Sequence, residues 1–107
     1  MWRRIPPWHF PKKQGQTRPN SPAFDDDPDG PMSVSIAPPG RDPAELLVGH
    51  DGFALVELSI EDLQAAGQTL VPAPTAEDPH HAEVIGDKAK AKRTLAKAAR
   101  WVVPPPG

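Results

Sequence analysis

The chain has 107 residues, enough for one domain, and its 16 prolines, 8 glycines and 37% of apolar residues predict a small ordered core beside irregular structure. It has no cysteine, which excludes disulfides and thiolate metal sites, and no apolar run of the roughly 18 residues that a membrane-spanning helix needs, so we expect a soluble cytoplasmic protein. The net charge of −2 conceals three blocks: residues 1–20 and 88–107 carry only basic charges, whereas residues 21–87 carry all 14 acids and one base. The basic ends can fold back on the acidic middle or hold an acidic partner.

Residues 1–31 are predicted to form a proline-rich N-terminal arm that is mainly loop. Six prolines within residues 6–28 remove backbone donors and disfavour helix at the residues before them. The arm ends in the acidic run DDDPDG (residues 25–30), which we interpret as a linker rather than a calcium loop because Ile36 stands where an EF-hand needs a glutamate. Some of the large apolar side chains of the arm should anchor it on the core or on a partner. The predicted anchors are Trp2, Trp8 and Phe24.

Residues 32–103 are predicted to form a compact α+β domain with a single sheet. The segment MSVSIA (residues 32–37) alternates apolar and polar residues as a half-buried strand does. DPAELLVGH (residues 42–50) predicts a short helix with Asp42 as its N-cap. GFALVELSI (residues 52–60) is almost continuously apolar, which predicts a central strand covered on both faces.

The next part of this domain again alternates helix and strand. SIEDLQAAG (residues 59–67) predicts a short helix that begins with a capping box of Ser59 and Asp62. TLVPAP (residues 69–74) predicts an edge strand, because Pro72 has no N–H to donate to a ladder.

The last predicted strand and helix carry the histidine pair and most of the lysines. KAKAKRTLAKAARWVV (residues 88–103) predicts a longer basic C-terminal helix, and residues 104–107 form a tail. The predicted fold class is therefore α+β: one small sheet, two short helices, a longer C-terminal helix and the N-terminal arm. HHAEVIG (residues 80–86) alternates as a strand, and the side chains expected on one of its faces are His81, Glu83 and Ile85.

His81 is the histidine that we single out. Adjacent histidines on a strand point to opposite faces, so His80 and His81 can bind one ion together only if the strand is broken there, and neither a metal nor a cofactor is predicted. Histidine suits acid–base chemistry when a partner lies beside it. Phosphate-binding glycine loops, nucleophile elbows and paired-carboxylate motifs are absent from the sequence, so an enzyme is not favoured.

The C-terminal helix is predicted to form an anion-binding or partner-binding surface. After Asp87 it contains no acid, whereas ordinary surface helices interleave both signs. Such a surface would bind nucleic acid, another anionic ligand or an acidic protein, or it would be neutralised within the chain. The candidate residues are Lys88, Lys90, Lys92, Arg93, Lys97 and Arg100.

Several fragments together resemble a family of small bacterial proteins with no assigned activity. In chain order the fragments are RRIPPWH, RPNSPAF, MSV, PHHAEVIGDK and LAKAARWV. That family has an Arg-Arg-Ile start, a Met-Ser-Val strand and a His-Ala-x-Val-x-Gly motif in this order, and the chain departs from it at Asn20 and Pro22. The resemblance covers nearly the whole chain and implies that the N-terminal arm belongs to the fold.

An arginine, a serine and a later polar residue on successive strands also resemble, at the level of the fold, the order of NAD-binding residues in ADP-ribosyltransferase-like domains. This resemblance implies a nucleotide site around the weak catalytic candidates Arg4, Ser33 and His81. The function that we favour from the sequence is a small cytoplasmic accessory protein that binds a protein partner or a second copy of itself. The alternatives are the nucleotide site and anion binding, including nucleic acid, through the basic helix.

Overall fold

The fold is a six-stranded antiparallel sheet with two α-helices, in a computed structural model that describes residues 1–106, so the predicted tail 104–107 extends one residue beyond it. The α+β class, with two short helical segments and a longer C-terminal helix, is confirmed. The helices are α1 (Ile60–Ala65) and α2 (Lys88–Ala98), and 3₁₀ turns lie at Pro7–His9, Ser21–Phe24 and Pro43–Leu47. The strands are β1 (Trp2–Ile5), β2 (Met32–Ser35), β3 (Ala54–Glu57), β4 (Thr69–Pro72), β5 (His81–Ile85) and β6 (Arg100–Val103).

The first strand lies in the middle of the sheet, whose spatial order is β4-β5-β2-β1-β3-β6. The prediction that the first thirty residues are mainly loop is therefore wrong for Trp2–Ile5, which pair with β3 along their whole length. Two arginines stand between the apolar residues Trp2 and Ile5, so the period-two alternation puts one arginine on each face of the sheet. The rest of the arm is irregular apart from its two 3₁₀ turns.

The predicted C-terminal helix is correct for residues 88–98 and wrong for residues 99–103. Ala99 has an extended backbone, with φ −63° and ψ 139°, and β6 follows it and pairs with β3. Trp101, Val102 and Val103 have high strand propensity, and the edge of β3 offers them a ladder. Tertiary pairing therefore overrides the helix-forming pattern that precedes these residues.

The two faces of the sheet are covered unequally. We call the side covered by α1, α2 and the turn Ser21–Phe24 the helix face, and it holds the main core. The largest side chains buried there are Ile5, Phe24, Met32, Val56, Leu58, Leu63, Val84 and Leu95. The opposite side, which we call the open face, carries a small cluster of Trp2, Leu46 and Leu55 under the turn Pro43–Leu47. Val56 and Leu55 belong to different layers, so the prediction that this strand is covered on both faces is confirmed.

Local signals in the sequence account for the ends of several elements. Ser59 and Asp62 form the predicted capping box of α1, with hydrogen bonds of 2.8 and 3.0 Å between each side chain and the other residue's backbone N–H. Such caps contribute about 1 kcal/mol each. β4 is the predicted edge strand, with Pro72 opposite Ala82. Asp87 caps α2 by accepting a hydrogen bond from the N–H of Ala89.

Candidate functional site

The sheet is split between its two middle strands. β1 and β2 are neighbours, but among the described residues their paired positions are limited to Trp2 opposite Ser35. By contrast, β1 pairs with β3, and β2 with β5, over four positions each. The sheet therefore opens between β1 and β2 in the direction of Arg4 and Ser33.

An ion pair occupies the gap where the β1–β2 ladder is missing. Arg3 Nη1 donates to the carbonyl oxygen of Ser33 at 2.7 Å, and the Ser33 N–H donates to Asp27 Oδ2 at 3.1 Å. Arg3 and Asp27 also bond to each other, with Nη2 and Oδ1 3.1 Å apart. Because half-buried backbone groups need partners, this pair replaces the ladder and keeps the strands apart. The role of the pair was not predicted, although the opposite charges of residues 1–20 and 21–87 were the signal for it.

Arg4 and His81 line three cavities around the split. The smallest, of about 30 Å³ between Trp2 and Ser33, holds no more than a few waters. A cleft of about 1010 Å³ extends over residues 38–50 and 75–81, and another of about 540 Å³ extends past Trp8 toward residues 25–28. Pockets for small ligands measure about 300–1,000 Å³, so both clefts are large enough for one.

The three weak catalytic candidates, Arg4, Ser33 and His81, are brought together at these cavities. All three line the smallest cavity and the 540 Å³ cleft. The register places them on the open face, because His81 lies opposite Ser35, and Ser35 opposite Trp2, which is on the same face as Arg4. They come from β1, β2 and β5, which are far apart in the chain and adjacent in the sheet.

The side chains of Arg4 and His81 retain unused binding capacity. His81 Nδ1 lies 2.8 Å from the carbonyl oxygen of Ala73, which can only accept, so Nδ1 carries the proton and a neutral ring presents the Nε2 lone pair. Arg4 Nη1 donates to the carbonyl oxygen of Leu46 at 3.0 Å, and within residues 1–106 no carboxylate forms a salt bridge with this guanidinium. Its charge and its remaining N–H groups are available to an anion.

Asp78 holds the His81 segment against the turn that follows β2. Its Oδ2 accepts from the Ser35 hydroxyl at 2.6 Å, and its Oδ1 accepts from the His80 N–H at 2.9 Å and from Arg41 Nη2 at 3.1 Å. Burial on its own would raise the pKa of Asp78, but these hydrogen bonds and the charge of Arg41 outweigh it and hold the pKa below its ordinary value. Asp78 and Arg41 were not singled out from the sequence. The feature of the sequence that could have identified this pair is that Arg41 is the one base among the 14 acids of residues 21–87.

The predicted basic surface of α2 divides into two groups. Lys88 is buried and its Nζ donates to Asp26 Oδ1, to the Val84 carbonyl and to the Gly86 carbonyl at 2.9 to 3.0 Å. Lys92 forms a 3.3 Å ion pair with Asp25, and Arg100 approaches Asp62 at 3.6 Å. These three bases are therefore neutralised within the chain by acidic residues of the block 21–87, which is one of the alternatives that the charge pattern left open. The bases of α2 that remain unpaired among residues 1–106 are Lys90, Arg93 and Lys97.

The three predicted arm anchors occupy different environments. Phe24 is completely buried on the helix face, and Trp2 is 8% exposed on the open face. Trp8 is 62% exposed, and its ring meets the edge of Phe53 with centroids 6.0 Å apart. Trp2 and Phe24 are thus core residues, while Trp8 offers most of its surface to solvent at the mouth of the 540 Å³ cleft.

Comparisons of the chain with models of protein families, with curated proteins and with solved structures give no significant match. The two resemblances drawn from sequence fragments therefore stay predictions. Within residues 1–106, no three histidine, cysteine or acidic side chains are placed to hold a metal ion together. The helices in this part of the chain are too short or too polar to cross a membrane.

Proposed function

We propose that this protein is a small cytoplasmic binding protein that takes a phosphorylated ligand of nucleotide size in the cleft between β1 and β2. The observation that carries the proposal is the convergence of Arg4, Ser33 and His81 on the cleft of about 540 Å³, which is large enough for a small ligand. Arg4 supplies an unpaired guanidinium, which suits a phosphate group. Trp8, exposed at the mouth of the cleft, supplies a flat surface on which a ring can stack.

Binding, rather than a reaction, is the function that these contacts support. The His81 ring is oriented by a backbone carbonyl and not by a carboxylate that would stabilise its protonated form during proton transfer. Ser33 donates its backbone N–H to Asp27, and no described base lies within hydrogen-bond distance of its hydroxyl. Arg4, Ser33 and His81 are therefore assigned to holding a ligand.

Isothermal titration calorimetry with ATP, ADP, AMP and NAD tests this proposal, with adenosine as the ligand that lacks phosphate. We expect a phosphorylated member to bind and adenosine to bind at least tenfold more weakly. Arg4→Ala should weaken the affinity for the nucleotide at least tenfold, which is about 1.4 kcal/mol of binding free energy, because it removes charge-assisted hydrogen bonds. Lys13→Ala, which removes an exposed base outside the cleft, is the matched control. Equal affinities of the Arg4→Ala variant and the unaltered chain would contradict the proposal.

A second candidate function, binding of a protein partner, is favoured by the surface around Trp8. Trp8, Phe53 and His50 form an edge-to-face cluster, and Val48 in the preceding turn is 78% exposed. Exposed tryptophans are enriched among the residues that dominate protein interfaces. A second copy of this chain is the partner that can be tested directly.

Sedimentation equilibrium distinguishes this candidate from ligand binding. If the Trp8 surface joins two copies, Trp8→Ala should shift the chain from dimer to monomer, whereas His81→Ala should leave the dimer intact. By contrast, His81→Ala should weaken the affinity for the nucleotide. A chain that is monomeric at high concentration contradicts self-association through Trp8.

A further inference from the structure

A fourth cavity, with three basic side chains around it, lies between the arm and α2, on the helix face and away from the β1–β2 cleft. It measures about 240 Å³ and is lined by residues 16–21 and by α2. Its basic residues are Arg18, Arg93 and Lys97, and no acidic residue lines it. The polar side chains beside them are Gln16, Asn20 and Ser21.

The bases of this cavity are not neutralised within the described chain. Among residues 1–106 the ion pairs of α2 engage Lys88 and Lys92, and no ion pair includes Arg18, Arg93 or Lys97. Three cations around one cavity repel one another, and a bound anion relieves that repulsion. The unpaired bases around the cavity therefore favour an anionic ligand.

The bases also extend beyond the cavity along one stripe of α2. Lys90, Arg93 and Lys97 stand three and four residues apart, which places them on the same side of the helix, and all three are exposed. At about 1.5 Å per residue the stripe is about 10 Å long. That length covers more than one phosphate of an extended nucleic-acid strand, whereas a single phosphate needs only the cavity.

We infer that Arg18 and the stripe Lys90, Arg93 and Lys97 bind the phosphate backbone of a nucleic acid, with the cavity as part of this surface. The contacts are to the backbone, so binding is independent of base sequence and weakens with salt. This site shares no lining residue with the 540 Å³ cleft, so we expect Arg4→Ala, which should disable the proposed nucleotide site, to leave nucleic-acid binding unchanged.

Fluorescence anisotropy with a labelled single-stranded DNA of 20 thymidines tests the inference. We expect binding at 50 mM salt, with a slope of log K against log salt of about −2 to −3 for three or four phosphate contacts. The double variant Arg93→Gln/Lys97→Gln, which removes two positive charges, should weaken binding at least tenfold and flatten the slope. The double variant Gln64→Glu/Ala65→Glu, which adds two negative charges on the exposed side of α1, is the control and should retain most of the affinity.

Four outcomes would overturn the inference. The first is no binding of the DNA at 50 mM salt. The second is an equal loss of affinity in both double variants, which would show that net charge alone decides. The third is competition by poly-glutamate as strong as that by unlabelled DNA, which would point to an acidic protein instead. Displacement of the DNA by inorganic phosphate at low millimolar concentration would assign the cavity to a free phosphate and would also overturn the nucleic-acid assignment.

Discussion

Lys88 is buried, although lysine is a residue type that strongly favours exposure to solvent. Lysine is almost never fully buried unless it is paired, and here the side chain is 4% exposed. Its ammonium group has three acceptors, one carboxylate and two backbone carbonyls, which match its three donors. These bonds tie the start of α2 to the end of β5 and to the acidic run in the arm.

Removing this ammonium group should destabilise the protein strongly. Lys88→Ala leaves the carbonyls of Val84 and Gly86 without a donor and Asp26 without its base, so we expect a loss of about 2–4 kcal/mol in the free energy of unfolding. Lys90→Ala, two residues later in the same helix turn and exposed, should change it by less than about 0.5 kcal/mol. Urea denaturation measures both, and similar losses for the two variants would show that Lys88 is not a structural anchor.

Asp78 makes part of the stability depend on pH. The fold lowers the pKa of Asp78, because the bonds from Ser35 and His80 and the charge of Arg41 outweigh the opposing effect of burial. The stabilisation is therefore complete above the unfolded-state pKa, which is about 4, and is lost as pH falls through the lower folded-state pKa.

Asp78→Asn should therefore be less stable than the unaltered chain at pH 7, and the difference between them should shrink as pH falls below about 4. Denaturation midpoints measured from pH 7 to pH 2.5 provide the comparison. The neighbouring exposed Glu77→Gln is the control and should differ little from the unaltered chain at any pH. A difference that stays constant over this range would show that Asp78 acts through packing and not through its charge.

At the scale of the elements, the split between β1 and β2 depends on Arg3 and Asp27. The pair satisfies both backbone groups of Ser33 and also links β1 to the turn Ser21–Phe24, since Arg3 Nε donates to the carbonyl oxygen of Ala23 at 3.1 Å. A continuous ladder would close the gap that Arg4 and His81 line. The same ion pair is thus the structural support of the candidate site.

Arg3→Leu should cost about 2–4 kcal/mol of stability, because it leaves the carbonyls of Ala23 and Ser33 without the Arg3 donor and the half-buried Asp27 carboxylate without its base. Arg4→Leu changes the next residue of the same strand, removes one hydrogen bond at an exposed position and should cost about 1 kcal/mol or less.

A double-mutant cycle of Arg3→Leu with Asp27→Asn should show a coupling energy of about 1 kcal/mol or more between the two side chains. Additive effects of the two substitutions would contradict their direct interaction.

At the scale of the whole molecule, the N-terminal arm is the piece that joins two half-sheets. β1 lies between β2 and β3, so without it β4-β5-β2 and β3-β6 have no common strand. The arm also contributes Ile5 and Phe24 to the main core and three aspartates to ion pairs with Arg3, Lys88 and Lys92. The basic ends and the acidic middle of the chain fold on each other through these pairs.

The predicted domain 32–103 should therefore not fold by itself. We expect a fragment of residues 32–107 to lack the cooperative unfolding transition and the dispersed amide resonances of the full chain. Adding residues 1–31 as a peptide should restore both, while deletion of residues 104–107 should have little effect. A fragment 32–107 that folds cooperatively would show that β1 is an accessory strand.

Local patterns were sufficient to predict several elements and one property of the candidate site. The alternation in MSVSIA and HHAEVIG predicted β2 and β5, and the capping box predicted the start of α1, because these signals depend only on neighbours in the chain. They also predicted that His81 lies on one face of a strand with Glu83 and Ile85. The register confirms this face, since these residues alternate with the buried Ala82 and Val84.

The sequence by itself determined the α+β class, the capped helix starts and the opposite charges of the three blocks. Only the tertiary structure decided that Trp2–Ile5 is a central strand, that residues 100–103 form β6 and that Arg3 and Asp27 split the sheet. These features depend on contacts between residues far apart in the chain, and pairing with β3 outweighs the local preferences of both chain ends. For the same reason the meeting of Arg4, Ser33 and His81 at one cleft is a property of the strand order, which no local pattern contains.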